Sequence, residues 1–366
     1  MGKKIYILVF VVVCLMLPVN LYSNVNTSLS ESNVHDDKEE GVNVQEIIFD
    51  HILDSYEWHI TTFGHKHISI PLPVILYSKH SGWHIFLSNK LHKNGGSYKY
   101  FYPAPIDHPR AGKLLEKMPD GTFVRPFDLS FTKMSLSVLL NSILLAILIL
   151  SVARWYRKHL DGSGVPGKFA TAIEFVVMMV EDDIIKPCVG KNYKKFSPYL
   201  LTVFFFILIS NLMSLVPFFP GGVGITANMT ITMFLALCTF IAVNIFSTRE
   251  HWREILWPDV PVMLKAPIPL MQVIEFVGIF TKPIALMIRL FANILGGHMA
   301  MLVLTSLIFI GFGVGKAMGS SMTFISVFFN TFMSVLELLV AFLQAYVFTL
   351  LSAVFIGNAQ IEHHTQ

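Results

Sequence analysis

The chain has 366 residues, of which 54% are hydrophobic and only 14% charged, and its mean hydropathy is +0.60. Soluble proteins carry about 25% charged residues, so these figures exclude an ordinary soluble domain and indicate a chain that crosses a membrane several times. A net charge of +3 is too small to argue for nucleic acid, and the three cysteines, Cys14, Cys188 and Cys238, form no CxxC pair that would imply a disulfide framework or a metal site.

Residues 1–23 place Lys3 and Lys4 before an apolar core, with Pro18 and then Ser23. This is the pattern of a signal peptide, which predicts a mature chain starting near Asn24; an uncleaved signal anchor is the alternative. Residues 24–44 are polar and acidic and are expected to form a disordered tether. Residues 45–125 carry HISIPLPVILYS, GWHIFLS and SYKYFYP, short β-rich runs separated by Gly, Asn and Ser, and are expected to form a small extra-membrane β-rich module. The module is rich in histidine, and His65 and His67 would share one strand face, as a metal pair would. No second pair has ligand-like spacing, so surface or core histidines are the favoured reading and no metal site is assigned.

Residues 126–366 read as an all-α polytopic membrane domain with about five membrane helices. The segment 134–153 is long enough for a ~30 Å hydrocarbon core. Arg154, Arg157, Lys158 and His159 follow it, which predicts a cytoplasmic end there and an exported N-terminus. Gly162 to Pro187 predicts a helix lying at the cytoplasmic interface, with Glu181, Asp182 and Asp183 as its solvated end. Tyr199 to Val216 is a second span; Asn211 within it is either glue between helices or part of an ion path. Asn228 to Phe246 is a third, and Arg249 and Arg253 mark the cytoplasmic side again.

From Pro269 the chain changes character. One apolar run extends to about Phe312, GFGVGKAMG (Gly311 to Gly319) reads as a turn, and a second run extends from about Ser320 to Gly357. Each run would make ~55–60 Å of helix, nearly twice the hydrocarbon thickness. Both must tilt strongly, forming a hairpin that a protein partner covers.

Each run carries polar residues at helical spacing. In the first, Arg289 lies deep in apolar sequence, where a guanidinium costs roughly 2.5–3.5 kcal/mol to insert and cannot shed its charge. Glu275, Lys282, Arg289 and Gly296 recur every seventh residue and share a face, with Asn293 one turn beyond Arg289; His298 points to roughly the opposite side. Snorkelling from a helix end is the alternative for Arg289, disfavoured by the apolar sequence on both sides. Gly296 and Gly297 allow another backbone to come close. In the second run Thr323, Asn330, Glu337 and Gln344 are also seven apart, and Glu337 is a candidate proton-handling group.

The run KPIALMIRLFANILGGH, Lys282 to His298, resembles the signature of the a subunit of F-type ATP synthases, and the resemblance extends from about Phe127 to the C-terminus. It implies a stator that offers two half-channels to a rotating c-type ring, with peripheral-stalk b subunits and the rest of the complex as partners and the bilayer as solvent. It implies no cofactor, and a multi-pass place in the bacterial inner membrane with the module outside and the C-terminus cytoplasmic. On this resemblance Arg289 is the ring-facing separator, Asn293 and Gln344 orient it, Glu337 and His298 relay protons, and Glu275 is a weaker member of the polar path. The segment around Pro166 to Lys168 and Asn211 are similar to the family pattern too. There are two departures. Many relatives have aspartate where this chain has Thr226, and the acid and imidazole at His298 and Glu337 are exchanged, as in the mitochondrial form. No GxxxxGK[ST] loop occurs, so the chain is not the nucleotide-hydrolysing part. Protons are favoured over sodium because no cluster of hard oxygen ligands is visible. A secondary transporter would be expected to show repeated halves, which are not seen, and a plain membrane anchor would not need polar stripes.

Overall fold

The computed structural model describes residues 54–63, 66–93, 97–104, 113–118, 122–159, 167–216, 219–256 and 270–360. The expected signal peptide and tether lie outside them, as does the side chain of Glu275. The chain divides into two compact units.

One unit holds the β-rich residues, the first turn of the helix that follows them, and residues 297–335. Strand β1 (Glu57–Phe63) pairs antiparallel with β2 (Lys66–Pro71). Strand β3 (Pro73–Ser78) is the centre of a three-stranded sheet between β4 (Gly82–Leu87) and β8 (Phe127–Asp128). A third sheet joins β5 (Phe101–Pro103), β6 (Leu114–Lys117) and β7 (Phe123–Val124), and a single turn of helix, α1 (Asn89–Lys93), lies between β4 and β5. Alternation along β3 turns Val74 and Leu76 inward, where they meet Phe86, Phe101, Leu114 and Tyr56. Pairing of Tyr77 with Phe127 carries the sheet past residue 125, where a two-residue strand has no periodicity to reveal it. The unit is fastened to helix α2 (Lys133–Lys158): the Lys133 N–H donates to the Ser55 carbonyl at 2.8 Å and the Met134 N–H to Asp54 Oδ1 at 3.1 Å.

The long apolar runs are the helices α8 (Leu270–Val314) and α9 (Lys316–Asn358). The expected turn over Gly311 to Gly319 is far shorter than the glycines suggest, since only Gly315 separates the two helices. The glycines serve close approach instead. A Cβ on Gly311 would lie 3.0 Å from the Met322 side chain, and one on Gly319 would lie 2.5 Å from the Phe312 ring. Farther from the turn, Asn330 Nδ2 donates to Thr305 Oγ1 at 2.8 Å and Ser334 Oγ to Met301 Sδ at 3.7 Å, setting an antiparallel register.

The second unit contains the rest of α2, residues 167–296 and the last part of α9. Helix α3 (Lys168–Met179) does not stop at its acidic end. A π-helical turn (Val180–Ile185), the short α4 (Lys186–Val189) and a 3₁₀ turn (Gly190–Asn192) lead directly into α5 (Tyr193–Leu215). Val180, Ile184 and Ile185 are fully buried while Asp182 and Asp183 stay exposed, Asp182 paired with Lys186. The buried valine and isoleucines hold the stretch in the core; the acids alone had suggested a terminus. Helix α6 (Met229–Ile245) is capped by Asn228, whose side chain accepts from the Thr230 N–H at 2.9 Å, and α7 (Arg249–Leu256) follows. Among the described residues four helical stretches are long and apolar enough to cross a membrane, and α6 is a shorter apolar helix.

Candidate intramembrane charge-transfer site

Helix α8 presents two faces around Arg289. Leu286, Met287, Leu290 and Ile294 are buried in the unit's core, whereas Ile288, Arg289, Ala292 and Asn293 are exposed. Spacing of three and four residues builds the inner row, so Arg289 is carried outward by the same periodicity that packs the helix. Among the described residues no hydrogen bond or ion pair engages the Arg289 guanidinium. A cation on an apolar helix face is costly to leave unpaired in a membrane, which makes Arg289 a candidate functional residue.

Two turns earlier Lys282 lies on the same face, its ammonium 5.8 Å from the centre of the Phe355 ring. It borders a groove whose polar edge is Asn244, His251 and Asn358 and whose wall is Phe240, Pro283 and Leu286.

Helix α9 turns its polar stripe the other way. Glu337 and Gln344 are both buried, and beside them Ala341 and Ala345 keep the surface small enough for α5 to come close. There Asn211, fully buried, donates through Nδ2 to the Ala341 carbonyl at 3.2 Å and accepts from Thr226 Oγ1 at 2.6 Å. Both ends of its amide are therefore used in joining α5 to α9 and to the turn before α6. This favours glue over path for Asn211. It also gives Thr226, where many relatives are expected to carry an acid, a definite role as a buried donor. The Asn141 amide donates to Ser210 Oγ at 2.6 Å, and Tyr199, Thr239 and Ser352 form a further chain of hydroxyls at 3.1 and 3.4 Å.

In the other unit Thr323 and Asn330 continue the stripe, each bonded within or across the hairpin. His298 is half-buried. No hydrogen bond joins Arg289 to Asn293 or Gln344 among the described residues. The hydroxyl network of Tyr199, Thr239 and Ser352 escaped the sequence reading because lone hydroxyls in apolar helices carry no periodic signal.

An exposed intramembrane cation on one long helix and a buried carboxyl on the next define a membrane protein that handles charge within the bilayer. Residues 137–357 match the family described as ATP synthase A chain, and residues 47–129 match a domain of unknown function (DUF8433). ATP synthase subunit a 2 of Prosthecochloris aestuarii is 40% identical over 234 residues, covering 64% of this chain and 69% of its own length. ATP synthase subunit a of Chlorobium phaeobacteroides is 38% identical over 258 residues, 67% of this chain and 72% of that one. ATP synthase subunit a of Anaeromyxobacter dehalogenans is 38% identical over 256 residues, 68% and 63% respectively. The chain belongs to the ATP synthase A chain family. Its function is that of the proton-translocating a subunit in the membrane sector of an F-type ATP synthase, an ion-translocating component of the complex.

Proposed function

We propose that Arg289 is the electrostatic separator of two half-channels and faces a c-type ring. The observation that supports this is its exposure on α8, with no hydrogen bond or ion pair to it among the described residues. A ring carboxyl is neutral when protonated and can face lipid; once ionised it is drawn to the arginine. Arg289 therefore promotes proton release on one side and blocks leakage between the half-channels. Each proton falling through 100 mV yields about 2.3 kcal/mol, which turns the ring. Asn293 shares the exposed face and orients the guanidinium together with Gln344.

Glu337 and His298 form the proton relay of the outer half-channel, a reading supported by the burial of Glu337 and by the exchange of acid and imidazole between the two helices. Glu275 is a weaker member of the polar path. The hairpin of α8 and α9 lies tilted against the ring, because helices of 45 and 43 residues exceed an upright span. The b subunits of a peripheral stalk hold the chain against rotation. Residues 1–23 act as a signal peptide, 24–44 as a tether, 45–125 as an extra-membrane module and 126–366 as the membrane domain. The setting is a bacterial inner membrane, with the module outside and the C-terminus cytoplasmic.

The test is ATP-driven proton pumping by inverted vesicles carrying Arg289→Leu, with assembly checked alongside. Assembled complexes are expected to lose pumping while hydrolysis stalls or uncouples. Normal pumping by assembled complexes would remove Arg289 from the mechanism.

A further inference from the structure

The sheet β4-β3-β8 is apolar on both faces. Residues opposite one another in antiparallel strands share a face, so the pairs Trp83–Tyr77, Ile85–Ile75 and Tyr77–Phe127 place these side chains together on one side. The Trp83 and Tyr77 rings meet at 5.0 Å. The opposite face, with Val74, Leu76 and Phe86, is buried in the unit's own core. On the outward face Trp83 is 59%, Ile85 72% and Leu87 50% exposed. An antiparallel sheet wetted on one side alternates apolar with polar residues, and this one does not. An exposed patch of this kind marks a contact surface.

Charge and connection identify the occupant. Lys79, Lys90, Lys99 and Lys117 are exposed on this unit. Its described acids are engaged internally: Asp54 with Lys113 at 3.1 Å, Glu57 with Ser69 at 3.1 Å, Glu116 with Ser78 at 2.7 Å, and Asp128 with the Tyr56 hydroxyl. Exposed tryptophan and tyrosine on a unit that also exposes lysines suit the headgroup layer of an anionic membrane. Strand β8 ends at Asp128 and α2, the first described span, begins at Lys133. The five steps from Asp128 to Lys133 reach at most roughly 18 Å. The backbone bonds from Lys133 and Met134 to Ser55 and Asp54 tie the unit to the start of that span.

We propose that this outward face rests on the anionic lipid surface surrounding the start of α2, so that the β-rich unit is held against the bilayer by Trp83, Ile85, Leu87, Tyr77 and Phe127. The unit thereby braces the beginning of the membrane domain through contacts with lipid.

The experiment uses the full chain in the assembled complex, with Cys14, Cys188 and Cys238 replaced by serine and an environment-sensitive fluorophore placed at Ile85→Cys or, separately, Leu87→Cys. Complexes are reconstituted in phosphatidylcholine vesicles with and without phosphatidylglycerol. The expected result is a blue shift relative to detergent, quenching by doxyl-labelled lipid that increases with phosphatidylglycerol, and loss of quenching by aqueous iodide. Iodide quenching as strong as in detergent would place the face in water and overturn the proposal. Protection from both quenchers would mean that protein covers it, another segment of this chain or another subunit, and would overturn it equally.

Discussion

Arg289 and Asn211 illustrate how differently two polar side chains behave within apolar helices. Asn211 satisfies both ends of its amide within the chain, and so acts as a fastening. Arg289 meets no hydrogen-bonding or ionic partner among the described residues, which is what its proposed role toward a ring requires. Thr226→Val keeps the shape but leaves Asn211 Oδ1 without its donor. Such a loss costs about 1–3 kcal/mol, so thermal unfolding of the complex should shift downward while proton pumping persists. Glu337→Gln keeps volume but removes the exchangeable proton, and pumping should fall by about a hundredfold or more, the range of a lost acid–base group, without loss of assembly. Outside the membrane, burial and then the carboxylate of Asp128 push the Tyr56 hydroxyl above its ordinary range. The neutral form is thus the one the fold favours. Its contribution is complete below the unfolded value of about 10 and is lost as pH rises above it through the folded value. Alkaline titration of the β-rich unit, followed by tyrosinate absorbance, should show this loss, and Tyr56→Phe should abolish it.

At the scale of elements, glycines separate internal contacts from external ones. A Cβ on Gly357 in α9 would overlap the carbonyl oxygen of Cys188, a backbone atom that cannot swing aside. Gly357→Ala should therefore prevent stable assembly, read as loss of the chain from isolated membranes. Around Gly296 in α8 the chain leaves open space. Gly296→Ala should leave the chain's own fold intact, so any loss of pumping by it would report a close approach by a partner. Intact pumping would show that no partner backbone comes near this position.

At the scale of the whole molecule, the apolar side chains left outward on α8 and α9 are too many for a chain that acts alone. Ile284, Ile288, Val303, Phe328, Val335 and Leu339 are all exposed. Lipid can cover part of such a surface, and on the proposed reading the rotor covers the rest. Amide exchange over 284–296 should therefore slow when the rotor is present and quicken when the chain is isolated from it.

The hydropathy of the sequence alone marked the spans, because burying apolar residues in lipid leaves continuous runs that no soluble fold requires. The motif from Lys282 to His298 carried the family, and the period of seven exposed the stripes of Arg289 and Glu337, since a helix returns to nearly the same face after two turns. The sequence could not show that the acids at 181–183 interrupt a helical stretch and do not end it. That depends on whether Ile184 and Ile185 find a core, which is settled by distant helices. Nor could it show that Gly311 and Gly319 are contact points instead of a turn, or that Asn211 and Thr226 are partners fifteen residues apart. Local pattern encodes which residues leave water; only the tertiary structure decides which of them meet, because packing pairs residues that the chain keeps apart.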